Sequence, residues 1–166
     1  MKLLLPALAL ALGGCPAAPP EDSGEPPVDC TAVWTEFQDG VWLQPQACLA
    51  WSPRSEAPMD WYAAASPESG AAGGCTAHCP EEPGWCDGLA GLGGLARWRL
   101  PAGEELQDAG FSDPPLDPLD GLLWSRDSNS QAEEMALQIE LSTPEALLLA
   151  GKDQDGWVRC VADLGT

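Results

Sequence analysis

The placement of the seven cysteines constrains this chain more than any other feature. Cys15 directly follows an apolar run, residues 3–12 (LLLPALALAL). The other six, Cys30, Cys48, Cys75, Cys79, Cys86 and Cys160, are spread through the body. An even set behind an export-type leader reads as a disulfide framework, whose connectivity the residues alone leave open. Such staples suit a chain with 18 glycines and 17 prolines, which favours turns over long helices. Eight tryptophans and a hydrophobic content of 45% still supply a packed core. The length of 166 residues fits one ordinary domain behind a leader.

Residues 1–14 are read as a signal peptide. The run behind Met1 and Lys2 is too short to span a bilayer. Residues 12–15 (LGGC) place small residues before Cys15 and resemble the lipobox of bacterial lipoproteins. That resemblance implies cleavage before Cys15 and lipid on its amine and thiol. Position 16 is proline rather than aspartate, so it further implies the outer membrane or cell surface. Residues 15–29 read as a tether, kept extended by proline and solvated by acids. Residues 30–166 form the domain.

Charge excludes one class of partner. A net charge of −19 repels phosphate backbones and anionic lipid, so nucleic-acid binding is discarded. Membrane association is expected through the N-terminal lipid only.

Along the body, residues 40–53 (GVWLQPQACLAWSP) read as two short strands around a proline turn. Residues 59–65 (MDWYAAA) read as a helical turn or two, with Asp60 placed to cap it. Residues 66–84 form a turn-rich insertion tied by cysteines. Residues 85–92 (WCDGLAGL) have apolar spacings of three and four, which predict a short helix ended by glycines. After Pro101, AGEELQDAG predicts another, its acids in the first turn where the helix dipole favours them. In EEMALQIELS, Met135, Leu137, Ile139 and Leu141 alternate with Ala136, Gln138 and Glu140, which predicts a strand with one buried face. The stretches ALLLAG and GWVRCVA come next, joined by KDQDG as a hairpin turn with Gly156. The fold class is therefore α+β.

Few motifs carry chemistry. Residues 91–96 (GLGGLA) match a dinucleotide-binding pattern, but a helix rather than a strand precedes them, and Pro101 arrives before a phosphate-binding helix could run. Cys75, His78, Cys79 and Cys86 have the residue types of a zinc site. In an oxidising compartment disulfides compete for those thiols, so no metal is assigned. The single histidine, His78, and the lack of a G-x-S-x-G elbow argue against a hydrolytic triad. Acidic loops at residues 112–121 and 152–156 lack the spacing of a calcium loop. No cofactor and no catalytic residue is assigned, and the chain is read as a non-enzyme.

Three segments in order resemble a known family. They are CLAWSP with MDWYAAA, then CDGLAGLGGLARWRLPAGEEL, then LLWSRDSNS with ALQIELS and GWVRCVA. This pattern resembles the Lcl C-terminal domain family of bacterial surface proteins. It implies a C-type-lectin-like fold related to the formylglycine-generating sulfatase modifiers: short helices on twisted antiparallel sheets, with a long loop region between. The sulfatase modifiers' arginine- and glycine-rich signature is absent, as are the EPN and WND calcium-lectin motifs. Oxidase activity and calcium-dependent sugar binding are thus not implied. What the resemblance implies is a binding or adhesion domain for a glycan or a surface protein. The competing readings are a structural subunit of an envelope assembly and a divergent enzyme on the same fold.

The resemblance also assigns residues. It pairs Cys86 with Cys160 as a disulfide. Among the other cysteines, Cys75–Cys79 and Cys30–Cys48 are a first guess. Trp98 of WRLP is expected in the core, Arg99 to brace the fold against Glu104 or Glu105, and Arg97 to be exposed. The long loop region maps to residues 111–134. There Trp124 is expected buried, and Arg126, Asp127 and Asn129 are the candidate ligand-binding residues, since together they supply hydrogen-bond donors and acceptors.

Overall fold

The computed structural model describes residues 33–65 and 83–164. The leader, Cys15, the tether, Cys30, and the segment holding Cys75, His78 and Cys79 lie outside the described residues.

Pro45 cannot extend a ladder, and the chain reverses around it. Strand β2 (Trp42–Gln44) and strand β3 (Leu49–Trp51) flank that turn and pair antiparallel, Trp42 opposite Trp51. Gln46 and Cys48 take positive φ, 67° and 51°, to close it. Strand β1 (Thr35–Glu36) adds to the outside of β2. Helix α1 (Trp61–Ala64) begins where the Asp60 carboxylate accepts the Ala63 N–H at 2.8 Å, the capping its position predicts. Helix α2 (Gly103–Phe111) starts just after Pro101 with Glu104 and Glu105 in its first turn, again as the sequence predicts. Strands β4 (Leu123–Asn129), β5 (Ala132–Ile139) and β6 (Leu147–Gly151) form a second antiparallel sheet. Strand β7 (Val161–Asp163) returns to the first sheet, whose order is β1-β2-β3-β7. The fold is α+β, with few helices and two antiparallel sheets.

Three local expectations are corrected. Residues 85–95 do not form one helix but two 3-10 turns, Asp87–Leu89 and Leu92–Gly94. Gly91 and Gly93 sit at φ of 94° and 59°, outside helical space, and so short a glycine-rich stretch cannot offset the cost of helix nucleation. Strand β5 is not polar-out: Ala136 and Gln138 are as buried as Ile139. The second sheet lies between two core clusters, one holding Trp61, Trp124, Ala136 and Ala150, the other Leu106, Ala109, Leu123 and Ile139.

The hairpin expected across residues 152–156 does not form. Strand β6 pairs only with β5, and β7 lies beside β3. Residues 156–161 instead thread between segments, each satisfying different backbone groups. Gly156 pairs with Met59, Trp157 with Leu122 and Trp124, Val158 accepts from Ser55, Cys160 from Ser52, and Val161 pairs with Arg99. Burial is therefore continuous through Val158, Arg159 and Cys160. A disulfide joins Cys86 to Cys160, with 5.7 Å between Cα atoms, tying the 3-10 segment to this thread. Cys48 is disulfide-bonded too.

Candidate functional site

The basic residues are the natural starting point, because the chain has only seven. Arg99 is a brace. Its guanidinium grips Glu105 through two bonds of 2.8 Å and reaches Asp163 at 2.9 Å. Glu105 also accepts the Ala102 N–H at 2.7 Å, which caps α2. Burial works against the charged Glu105, but the bonds from Arg99 and Ala102 outweigh it and hold its pKa below the ordinary value. Burial likewise works against Arg99, and its two carboxylates overcome that and raise its pKa. Trp98 is buried and Arg97 exposed, matching the sequence reading of WRLP.

Arg126, Asp127 and Asn129 are not on a loop. All three lie in β4, because residues 123–129 pair with β5. Two are committed within the fold. The Asp127 carboxylate accepts the Gly103 N–H at 2.7 Å and caps α2, a task that Ala102 at the N-cap position has no side chain to perform. Asn129 accepts the Gln131 N–H at 2.8 Å and shapes the β4–β5 turn. Arg126 stays half-buried, and its charge adds to the forces favouring ionised Glu105. Trp124 is fully buried, its indole N–H donating to Met59 O at 3.0 Å.

Lys152, read as part of a surface turn, is instead buried. Its ammonium lies 4.1 Å from the centre of the Trp61 ring, a cation–π contact. Burial lowers its pKa, while the charges of Glu133 and Glu134 act the other way.

The remaining buried cation lines a cleft of about 420 Å³. Its walls are Trp42 of β2, residues 53–55 behind β3, the loop 115–118, and Arg159. Arg159 is 2% exposed. One of its terminal nitrogens donates to Ser52 O at 3.0 Å, and the other to Asp117 O at 3.1 Å and Pro118 O at 3.4 Å. Its Nε is buried with no acceptor among the described residues. Its acceptors are all backbone carbonyls, and among the described residues it makes no ion pair. The second cation, Arg54, stacks 4.0 Å over the Trp157 ring and donates to Asp120 O at 2.7 Å. Its nearest carboxylate, on Asp120, is 3.8 Å away and 82% exposed. Burial and the like charge of Arg54 push the Arg159 pKa down to about 10, with Asp117 pulling back. Arg159 remains a cation at neutral pH. A pocket lined by two guanidinium groups favours negative charge.

Residue types alone did not mark this cleft. Arg159 lies inside the VRCV stretch, where it reads as part of a strand, and Arg54 comes directly after a proline turn. The one signal was scarcity: in a chain this acidic, each basic residue merits a reason. By fold and site, the molecule is an α+β domain with a cationic cleft. Comparison of the chain with family models, curated proteins and solved structures finds no match.

Proposed function

We propose that the chain is a lipid-anchored bacterial envelope protein, cleaved before Cys15 and held at the outer membrane or cell surface by lipid on that cysteine. Residues 30–166 form a C-type-lectin-like domain akin to the Lcl C-terminal family. Its work is binding or adhesion to a glycan or a surface protein, not catalysis. The cleft between Trp42, Arg54 and Arg159 carries this reading. Its charged groups are mainly guanidinium, which holds charge without exchanging protons near neutral pH and so suits recognition better than acid–base work. The fold agrees with it too, since the strand nearest each end of the described chain, β1 and β7, joins the same sheet.

The alternative is a structural subunit of an envelope assembly. Strand β6, at the edge of its sheet, exposes Leu147, Leu148 and Leu149 by 54%, 46% and 45%, a surface another protein could cover. A glycan array probed with the full chain separates the two. Bound glycans support the first reading. An empty array, with self-association or co-purifying envelope protein lost on Leu148→Glu, supports the second. Mass spectrometry of the mature N-terminus tests the anchor: a diacyl or triacyl group on Cys15 is expected, and an unmodified start elsewhere refutes it.

A further inference from the structure

We infer that the cleft recognises a sugar that carries one carboxylate, a uronic acid or similar acidic monosaccharide unit, with Arg54 holding the carboxylate and the buried charge of Arg159 drawing it in. This rests on the glycan-binding reading above and names the ligand class for it.

The charge comes first. Arg159 is buried with neutral acceptors only, and its Nε–H finds no acceptor among the described residues. Burying a cation without a counter-ion is costly, because the lost hydration is not replaced by an opposite charge. An anionic ligand in the cleft supplies the counter-ion. Arg54 lies near enough to act on Arg159 electrostatically, and no carboxylate among the described residues grips it at close ion-pair distance. Arg54 can offer a carboxylate donor N–H groups, and Arg159, whose terminal nitrogens already donate to Ser52, Asp117 and Pro118, adds its charge to the cleft.

The number of charges is limited by the rest of the molecule. At net charge −19, with Asp117 on the cleft and Asp120 beside Arg54, a polyanion would be repelled along most of its length. A single charge held beside two guanidinium groups meets that field at one point only, whereas a polyanion meets it along its length. A monoanion therefore fits where a sulfated polymer does not.

The body of the ligand is set by the walls. Trp42, Pro53, Pro115 and Pro118 give the cleft apolar faces, and Ser55 and nearby carbonyls give it polar ones. A pyranose ring has both kinds of face, and a cleft of about 420 Å³ lies within the usual size range of small-ligand sites.

The test is calorimetric titration of the full chain with glucuronate, glucose, acetate and inorganic sulfate. Glucuronate should bind and glucose should not. Acetate and sulfate should bind at least about tenfold more weakly, since they lack the ring or the planar group. Arg54→Gln should weaken glucuronate about tenfold, the loss of one charge-assisted contact, while melting stays near wild type. Asp117→Asn should tighten it, because a competing negative charge leaves the cleft. Arg159→Ala removes three loop contacts and so is not used alone. Equal binding of acetate, sulfate and glucuronate overturns the sugar class. Glucuronate binding unchanged in both variants overturns the site. No glucuronate binding, with neutral glycans captured on the array, overturns this inference and leaves the glycan-binding reading standing. No binding in either assay overturns both.

Discussion

Replacing Arg99 with alanine should unfold this domain at a distinctly lower temperature. The guanidinium makes two 2.8 Å bonds to Glu105 and one of 2.9 Å to Asp163. The side chains are unequal in exposure: 17% for Arg99, 19% for Glu105 and 69% for Asp163. The Asp163 contact is therefore a surface pair, worth roughly 0–1 kcal/mol. The Glu105 contact approaches the buried limit, where loss of one partner costs roughly 3–5 kcal/mol. The stranded carboxylate keeps the Ala102 N–H, which lowers the loss. Together these give about 2–3 kcal/mol, a fall in Tm of roughly 6–15 °C for a domain of this size. Differential scanning calorimetry of Arg99→Ala, Glu105→Ala and the double variant measures the coupling directly. Asp163→Ala should cost only about 0.5 kcal/mol, and Arg97→Ala, at an exposed site, no more. If Arg99→Ala melts with Arg97→Ala, or the coupling is near zero, Arg99 is not a brace.

Three further outcomes are expected. Glu105 has a lowered pKa in the folded state, so its stabilising share is full above the unfolded carboxylate pKa and is lost as pH falls through the folded value; acid melting curves should show this, and Arg99→Ala should flatten it. Removing the Cys86–Cys160 bridge by paired serine substitution frees a loop with a sequence separation of 74, which costs roughly 4.5 kcal/mol in the chain-entropy model, and peptide mapping that links Cys86 elsewhere would refute the pairing. Gly156→Ala places a methyl 2.7 Å from the Trp124 indole nitrogen and closer still to the Gln138 amide, so chemical denaturation should register a loss of roughly 1–3 kcal/mol, and an unchanged midpoint would mean the packing there is loose.

The sequence is readable where local chemistry decides the structure. Asp60 caps α1, the acids behind Pro101 open α2, and Pro45 turns β2 into β3, all within a few residues of one another. Arg99 and Glu105 are similarly near, so their pairing is legible, whereas Asp163 joins them across 64 residues and gives no sign. The same limit applies to KDQDG. Its turn residues are real, but nothing local says that the next segment leaves for the other sheet. The cleft is hidden for a further reason. Arg159 is held by the carbonyls of Ser52, Asp117 and Pro118, and every residue type carries a carbonyl. A site built from main-chain acceptors leaves no trace in side-chain spacing. The three β4 residues are misplaced because the resemblance maps residues 111–134 to a long loop, while pairing with β5 makes them part of a strand.

The return of β7 to the first sheet bears on how this chain folds as it is made. Sheet one lacks its fourth strand until residues 161–163 have emerged, although β1, β2 and β3 emerge early. Cys86 cannot form its native bond before Cys160, the cysteine last to arrive, while Cys75 and Cys79 stand much nearer along the chain. Thiol exchange under kinetic control favours close neighbours, so early mispairing is the default and the native bond is reached by reshuffling. In oxidative refolding, the yield of native protein should therefore depend on an isomerase that rearranges bonds more than on the oxidant that first forms them.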